Sequence, residues 1–103
     1  EQLELAIITG EYPPGEKIPG VRDLAAQAQV NPNTMQRALA ELEARGLLET
    51  QRTAGRTVTG DVEKIAQTRR ALAQMLVHHF YHQAAALGLT KAELAALLEQ
   101  EEG

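Results

Sequence analysis

The sequence predicts a mainly α-helical protein with one small β-hairpin near the middle of its 103 residues. Three observations lead to this expectation. Apolar residues recur at spacings of three and four in several segments, which is the repeat of an amphipathic helix. Capping residues and glycines bracket those segments. Two short runs of β-forming residues flank a glycine-containing turn between positions 47 and 59.

Composition narrows the class of protein. Apolar residues make up 44% of the chain and aromatic residues only 3%, so the core must be aliphatic. Cysteine and serine are absent, which excludes disulfides, thiolate metal sites and nucleophiles of either type. No apolar run reaches the ~20 residues of a membrane span and no signal peptide is visible, so we expect a cytoplasmic protein with no membrane partner.

The first short helix lies near residues 3–8, and Gly10 fits its end. A turn follows at Tyr12-Pro13-Pro14-Gly15, where the prolines interrupt helix. Val21 to Gln29 predicts the second helix from its apolar spacing, with Gly20 at the N-cap position.

Asn31 and Pro32 begin the third predicted helix as N-cap and first helical residue. Gly46 follows its end as a C′ residue. The buried stripe of this helix is expected to comprise Met35, Ala38, Leu39 and Leu42.

Two short strands are expected at residues 47–51 and 57–59, joined by a hairpin tip at residues 52–56. The order helix, helix, turn, helix and hairpin is that of a winged helix-turn-helix. We therefore predict such a domain in residues 1–60 and a helical dimerisation region in residues 61–103.

Asp61 can cap a long helix that runs to about Leu87, before Gly88. Thr90 and Glu93 form a capping-box pattern that begins the last helix, which is expected to bury Leu94, Leu97 and Leu98. The apolar face of the long helix is wider than one small domain can cover, so we expect a partner helix. The predicted dimer interface comprises Ile65, Leu72, Leu76, Phe80, Leu87, Leu94 and Leu98.

The runs "PGEKIPGVRDLA" and "VNPNTMQRALAELEARGL", followed by a wing, resemble the DNA-binding domain of the GntR family of bacterial transcription regulators. The resemblance covers residues 1–60. The short helical tail is similar to that of the YtrA branch, whose members are small homodimeric repressors, often encoded beside ABC transporter genes. The resemblance implies dimerisation through the C-terminal helices and a double-stranded DNA operator as partner.

Carried over by position, the resemblance implies a phosphate contact for Arg22. The third helix would enter the major groove, and the wing would approach the minor groove. Asn33 and Gln36 could then read bases, while a wing arginine reads groove width. The full implied DNA-binding set is Arg22, Asn31, Pro32, Asn33, Thr34, Gln36, Arg37, Arg45, Arg52, Gly55 and Arg56.

Three features depart from the family pattern. Gly20 stands where serine is common, so a side-chain cap is missing. Gln29 stands where glycine is common, and at positive φ it would cost about 1 kcal/mol. Thr53-Ala54 stands where many members have Gly-Lys.

Several residues have more than one interpretation. Arg45 follows Glu41 by four positions, so an exposed ion pair is as consistent with the sequence as a DNA contact. Glu41 and Glu43 are expected on a solvated face. His78, His79 and His82 invite a metal hypothesis, but without a third ligand nearby we favour surface or interface histidines, with no metal and no cofactor. A small-molecule effector at the dimer interface is an open alternative.

The sequence thus predicts a homodimeric, sequence-specific DNA-binding repressor for a near-palindromic operator. The net charge of −4 neither supports nor excludes this, because a local basic face can exist on an acidic protein. The alternative is a winged-helix protein-interaction module without DNA binding. An enzyme is disfavoured because serine, cysteine, a phosphate-binding glycine loop and a His–carboxylate cluster are all missing.

Overall fold

The computed structural model describes residues 2–53 and 55–103, and within them it contains five helices and one antiparallel hairpin. The predicted fold class, mainly α with a hairpin wing and a two-helix tail, is confirmed. In chain order the elements are α1 (Gln2–Ile8), α2 (Val21–Ala28), α3 (Pro32–Ala44), β1 (Leu48–Gln51), β2 (Gly55–Val58), α4 (Val62–Ala86) and α5 (Lys91–Gln100).

An aliphatic core joins α1, α2, α3, the hairpin and the start of α4. Each fully buried Leu, Ile or Val side chain contributes about 1.5–3 kcal/mol relative to its exposed state, so this core is the main source of stability. Its members are Leu3, Ile7, Ile18, Leu24, Ala25, Met35, Leu39, Leu42, Leu47, Leu48, Val58 and Ile65.

The turn between α2 and α3 contains a left-handed residue at the position where glycine is common in the family that the sequence resembles. Gln29 has φ 56° and ψ 46°, the left-handed conformation, and it is the single non-glycine residue with positive φ in the described part of the chain. Its amide donates to the Ala26 carbonyl, and the Val30 amide donates to the Ala25 carbonyl. The chain therefore turns at the cost of placing a glutamine where glycine is favoured.

The hairpin pairs β1 with β2 from Leu48 opposite Val58 to Gln51 opposite Gly55. Arg56 was predicted in the turn, but it lies in β2 opposite Thr50, so the second strand begins earlier than the sequence suggested. The second strand begins early because Gly55, with a φ of 76°, completes the turn, so that strand pairing starts at this glycine. Ala54 lies outside the described residues.

A third extended segment pairs with β2, which the sequence did not predict. The Gly15 amide donates to the Val58 carbonyl at 2.9 Å, and the Ile18 amide donates to the Arg56 carbonyl at 3.0 Å. A single β-bridge between Lys17 and Thr57 lies between these bonds. The segment is short and follows two prolines, so its local pattern gave no strand expectation.

The chain divides into two compact units, the first ending at Thr68 and the second spanning Arg69–Gly103. The sequence suggested a boundary at Gly60. The first unit extends further because Ile65, on the first turns of α4, is buried in its aliphatic core. Asp61 caps α4 as expected, since its carboxylate accepts from the Lys64 amide at 3.1 Å.

Within the second unit, α5 begins at the predicted capping box. The Thr90 hydroxyl accepts from the Glu93 amide at 3.1 Å, and the Glu93 carboxylate accepts from the Thr90 amide at 2.9 Å. The Lys91 ammonium lies over the Tyr81 ring, 5.3 Å from its centroid.

The expectation that α5 buries its leucines is wrong for the single chain. Leu97 and Leu98 are exposed and Leu94 is half-buried, and no described residue of α5 is fully buried. Ala84 of α4 is the one buried residue that the structure describes in this unit, so the single chain leaves most of the apolar surface of α4 and α5 exposed.

Replacing Gln29 with glycine should raise the free energy of unfolding by about 0.5–1 kcal/mol, because the left-handed strain disappears and only part of that gain is offset by the flexible unfolded chain. Urea unfolding followed by circular dichroism measures this. Gln27→Gly is the matched control inside α2, where the same change should lower stability by about the same amount. Destabilisation by Gln29→Gly would contradict the assigned strain.

Candidate nucleic-acid interface

Helix α3 has one buried face and one exposed polar face. Met35, Leu39 and Leu42 are buried, while Asn33 and Gln36 are exposed on the other side. At about 100° per residue, the side chains of Asn33, Gln36, Arg37 and Ala40 share one stripe roughly opposite the buried one. The two polar residues predicted to read bases are therefore presented to solvent.

The first turn of α3 is fixed by its cap. The Asn31 carboxamide oxygen accepts from the Asn33 amide at 2.7 Å, and Pro32 is the first helical residue, so both predicted structural features are confirmed. The cap uses the Asn31 oxygen locally, which leaves its side-chain amide nitrogen facing solvent. The remaining amides of this turn carry the positive end of the helix dipole, which favours a phosphate.

Arg22 is the second residue of α2, and its side chain is exposed. Gly20 is the N-cap of that helix and provides no side-chain cap, as its identity requires. Arg37 on α3 and Arg52 beyond β1 are exposed as well. The structure therefore leaves three of the predicted arginines available for phosphate contacts.

Arg56 makes a contact that the sequence did not suggest. Its Nε donates to a Glu43 carboxylate oxygen at 2.8 Å, and its side chain is 23% exposed. The Thr50 hydroxyl donates to the other oxygen of the same carboxylate. Glu43, which was expected on a solvated face, thus clamps both strands of the hairpin to α3.

The electrostatics of this clamp follow from its hydrogen bonds. The Thr50 hydroxyl and the Arg56 guanidinium hold the pKa of Glu43 below its ordinary value of 4.5. Partial burial acts in the opposite direction, and the charge of Arg56 adds to the lowering. The carboxylate therefore stays ionised at neutral pH, when it bonds both partners.

Arg45 also serves the fold. It is the C-cap residue of α3, at the end of the helix remote from Asn31, and its guanidinium pairs with Glu4 of α1 at 2.6 Å. The pair expected from spacing was with Glu41. The observed bond instead links α1 to α3 across many residues of sequence, which explains why no local pattern predicted it.

Lys17 is a basic residue that the sequence reasoning missed. Its backbone forms a β-bridge with Thr57 at the edge of the hairpin, and its side chain is exposed. The side chain lies beside Gly55, since a Cβ added to that glycine would be 3.8 Å from the Lys17 Cε. Only the pairing of residues 15–18 with β2 reveals this position, because the intervening sequence separates Lys17 from the wing.

An open apolar groove of about 710 Å³ lies among α1, α2 and α3. Thr34, predicted as a DNA contact, lines this groove, whereas Asn33 and Gln36 do not. Leu5 and Val30 on its walls are exposed. No pattern in the sequence indicated the groove, because its walls come from three separate helices.

The model of the bacterial regulatory proteins of the gntR family matches residues 1–58, which is more than half of the chain. This chain belongs to the gntR family. The family consists of transcriptional regulators that bind DNA and are not enzymes, so the winged helix described here belongs to a DNA-binding transcriptional regulator.

Two curated regulators of Bacillus subtilis (strain 168) are similar along most of this gntR-family chain. The HTH-type transcriptional regulator YhcF is 36% identical over 94 residues, covering 91% of this chain and 78% of its own length. The HTH-type transcriptional repressor YtrA is 31% identical over 87 residues, covering 79% and 67%. The predicted resemblance to the family and to its YtrA-like members is confirmed.

A solved structure also matches both the winged helix and the tail. The GntR family transcriptional regulator from Listeria monocytogenes aligns with a TM-score of 0.90 and 36% identity, covering 98% of this chain and 89% of that one. The gntR-family fold therefore extends through α4 and α5. In the part of the chain that the structure describes, no helix combines the length and apolarity needed to cross a bilayer.

Glu43→Gln should lower the free energy of unfolding at pH 7 by about 1 kcal/mol, because the ionic bonds to Arg56 and Thr50 weaken. The folded-state pKa of Glu43 is depressed, so its contribution is present above about pH 4.5 and is lost as the pH falls below that value. Urea unfolding at pH 7 and pH 3 measures both effects, with a smaller difference expected at pH 3.

Glu41→Gln, an exposed change on the same helix, is the matched control and should stay within about 0.5 kcal/mol of the natural chain at both values. Equal effects of the two variants would contradict the clamp.

Proposed function

We propose that the chain acts as a homodimeric repressor that binds a near-palindromic operator through α3 and the hairpin. The exposed stripe of Asn33, Gln36 and Arg37 supports this most directly, because it joins base-reading amides to a phosphate-binding cation on one helix face. A helix placed this way in the major groove can bond the N6 and N7 atoms of adenine through a Gln or Asn side chain. Occupancy of a promoter then blocks polymerase without any catalytic residue.

The cationic contacts divide by position. Arg22 at the start of α2 and Arg37 on α3 would bond phosphates beside the major groove, fixing the register of the helix. Arg52 and Lys17 flank the hairpin and would follow the backbone at the minor groove. Arg56 and Arg45 are assigned to holding the hairpin and α1 on α3, on account of their bonds to Glu43 and Glu4.

Dimerisation is proposed through the tail. Leu76 is 64% exposed, Phe80 48% and Leu87 82%, and together with the half-buried Leu72 they follow one side of α4. Leu98 of α5 is a further exposed apolar side chain of the second unit. Contiguous apolar surface of this kind marks an interaction site on a folded chain, and a second copy offers a matching surface through twofold symmetry.

Ile65 is removed from the proposed dimer interface. Its side chain is 9% exposed because it packs in the core of the first unit. The interface therefore begins beyond the first compact unit, at Leu72. Twofold symmetry would place the two recognition helices on half-sites about one helical turn (~34 Å) apart, or a multiple of it.

Arg22→Ala should weaken binding to all duplexes and reduce the slope of log affinity against log salt by about 1, because one phosphate contact is lost. Gln36→Ala should keep the salt slope and reduce discrimination at one base pair by about 1–3 kcal/mol. Fluorescence anisotropy measures both, with duplexes selected from a random pool and single-base variants of them. Affinity that is indifferent to salt and to both substitutions would favour the protein-interaction module instead.

Leu76→Glu should convert a dimer of twice the 11.2 kDa chain mass into a monomer, because pairing would bury a carboxylate in an apolar interface. Sedimentation velocity measures the mass. Gln74→Glu adds the same charge about 200° round α4 from Leu76 and should leave the dimer intact. A natural chain that sediments as a monomer at micromolar concentration would end the dimer proposal.

A further inference from the structure

All three histidines of the chain lie within one short stretch of α4. His78 and His82 are four residues apart, both side chains are exposed, and their ring centroids are 4.4 Å apart with an interplanar angle of 73°. The His79 ring is further away, with its centroid 6.2 Å from that of His78. The structure thus adds to the sequence spacing that the two rings of this pair lie in direct edge-to-face contact.

The separation of the pair matches that of two imidazoles on one metal ion. A metal–nitrogen bond is about 2.0–2.1 Å long, which puts a bound ion roughly 3.2 Å from each ring centroid. Two such rings at a right angle about the ion would have centroids about 4.5 Å apart. The observed 4.4 Å fits neighbouring positions of a square-planar or octahedral ion, the geometry that Cu²⁺ and Ni²⁺ favour.

The pair lies away from the apolar stripe of α4. His78 follows Leu76 by two positions and His82 follows Phe80 by two, which is about 200° round the helix in each case. Pairing through the stripe would therefore leave these imidazoles in solvent. A metal site here does not depend on the proposed dimer or on DNA binding.

The surroundings define what the site can hold. Among residues 2–53 and 55–103 no group of three or more potential ligands comes together, so solvent must fill the remaining coordination positions. The Tyr81 ring lies 5.6 Å from that of His82, and it carries the Lys91 ammonium over its face. Two neutral nitrogens without a carboxylate favour a nitrogen-preferring transition ion over Mg²⁺ or Ca²⁺.

We infer that His78 and His82 form a two-nitrogen binding site for a divalent transition-metal ion of the Ni²⁺ or Cu²⁺ type on the outer face of α4. The ion bridges adjacent turns of the helix and stabilises it there, because the helix holds both ligands together and so binds the ion more tightly than the unfolded chain does.

Isothermal titration of the untagged chain with NiCl₂ tests the site. One ion per chain is expected. His78→Gln and His82→Gln should each weaken binding by at least about tenfold, because each removes one of the two ligands. His79→Gln is the matched control and should change the affinity less than twofold. Circular dichroism without metal confirms that the exposed substitutions leave the helix folded.

A second experiment adds a ligand to the proposed metal site. Gln74→His places a third imidazole one turn before His78 on the same face, and it should tighten nickel binding by at least about tenfold. Absence of nickel binding in the natural chain would overturn the site. An equal loss with His79→Gln, or no gain with Gln74→His, would overturn the assignment to this pair.

Discussion

The burial of one face of α3 is the constraint on which the rest of the molecule depends. Leu39 and Leu42 are 0% and 2% exposed, and moving either to solvent would cost about 1.5–3 kcal/mol. The helix cannot rotate about its axis without that cost, so Asn33 and Gln36 stay outside. The same burial that stabilises the winged helix therefore decides which side chains can meet DNA.

Two ionic contacts then fix the neighbours of α3. Glu43 bonds Arg56 and Thr50, which holds the hairpin beside the helix. Arg45 bonds Glu4 and ties α1 to the far end of the same helix. Arg45 and Arg56 of the first unit thus help to build the scaffold, because each is paired with a carboxylate on a neighbouring element.

Local chemistry made much of the molecule predictable. The Asn31 cap and the Thr90–Glu93 capping box each depend on a few adjacent residues, so the sequence specified them. The left-handed Gln29 is different, because only the family resemblance, with glycine at that position, pointed to it. The ion pairs of Arg45 and Arg56 were missed, because their partners are distant in sequence and a spacing rule favours nearby ones. The α5 leucines were expected to be buried, but apolar spacing indicates a buried face without saying which chain covers it.

The most direct test of the account is a map of the protein surface that meets DNA. A titration of ¹⁵N-labelled protein with a selected duplex, at low salt, follows each backbone amide. We expect shifts concentrated in residues 31–37, at Arg22 and at Arg52, with the amides around Arg45 at the other end of α3 little changed. Shifts confined to α4 and α5, with the first turns of α3 unaffected, would contradict it.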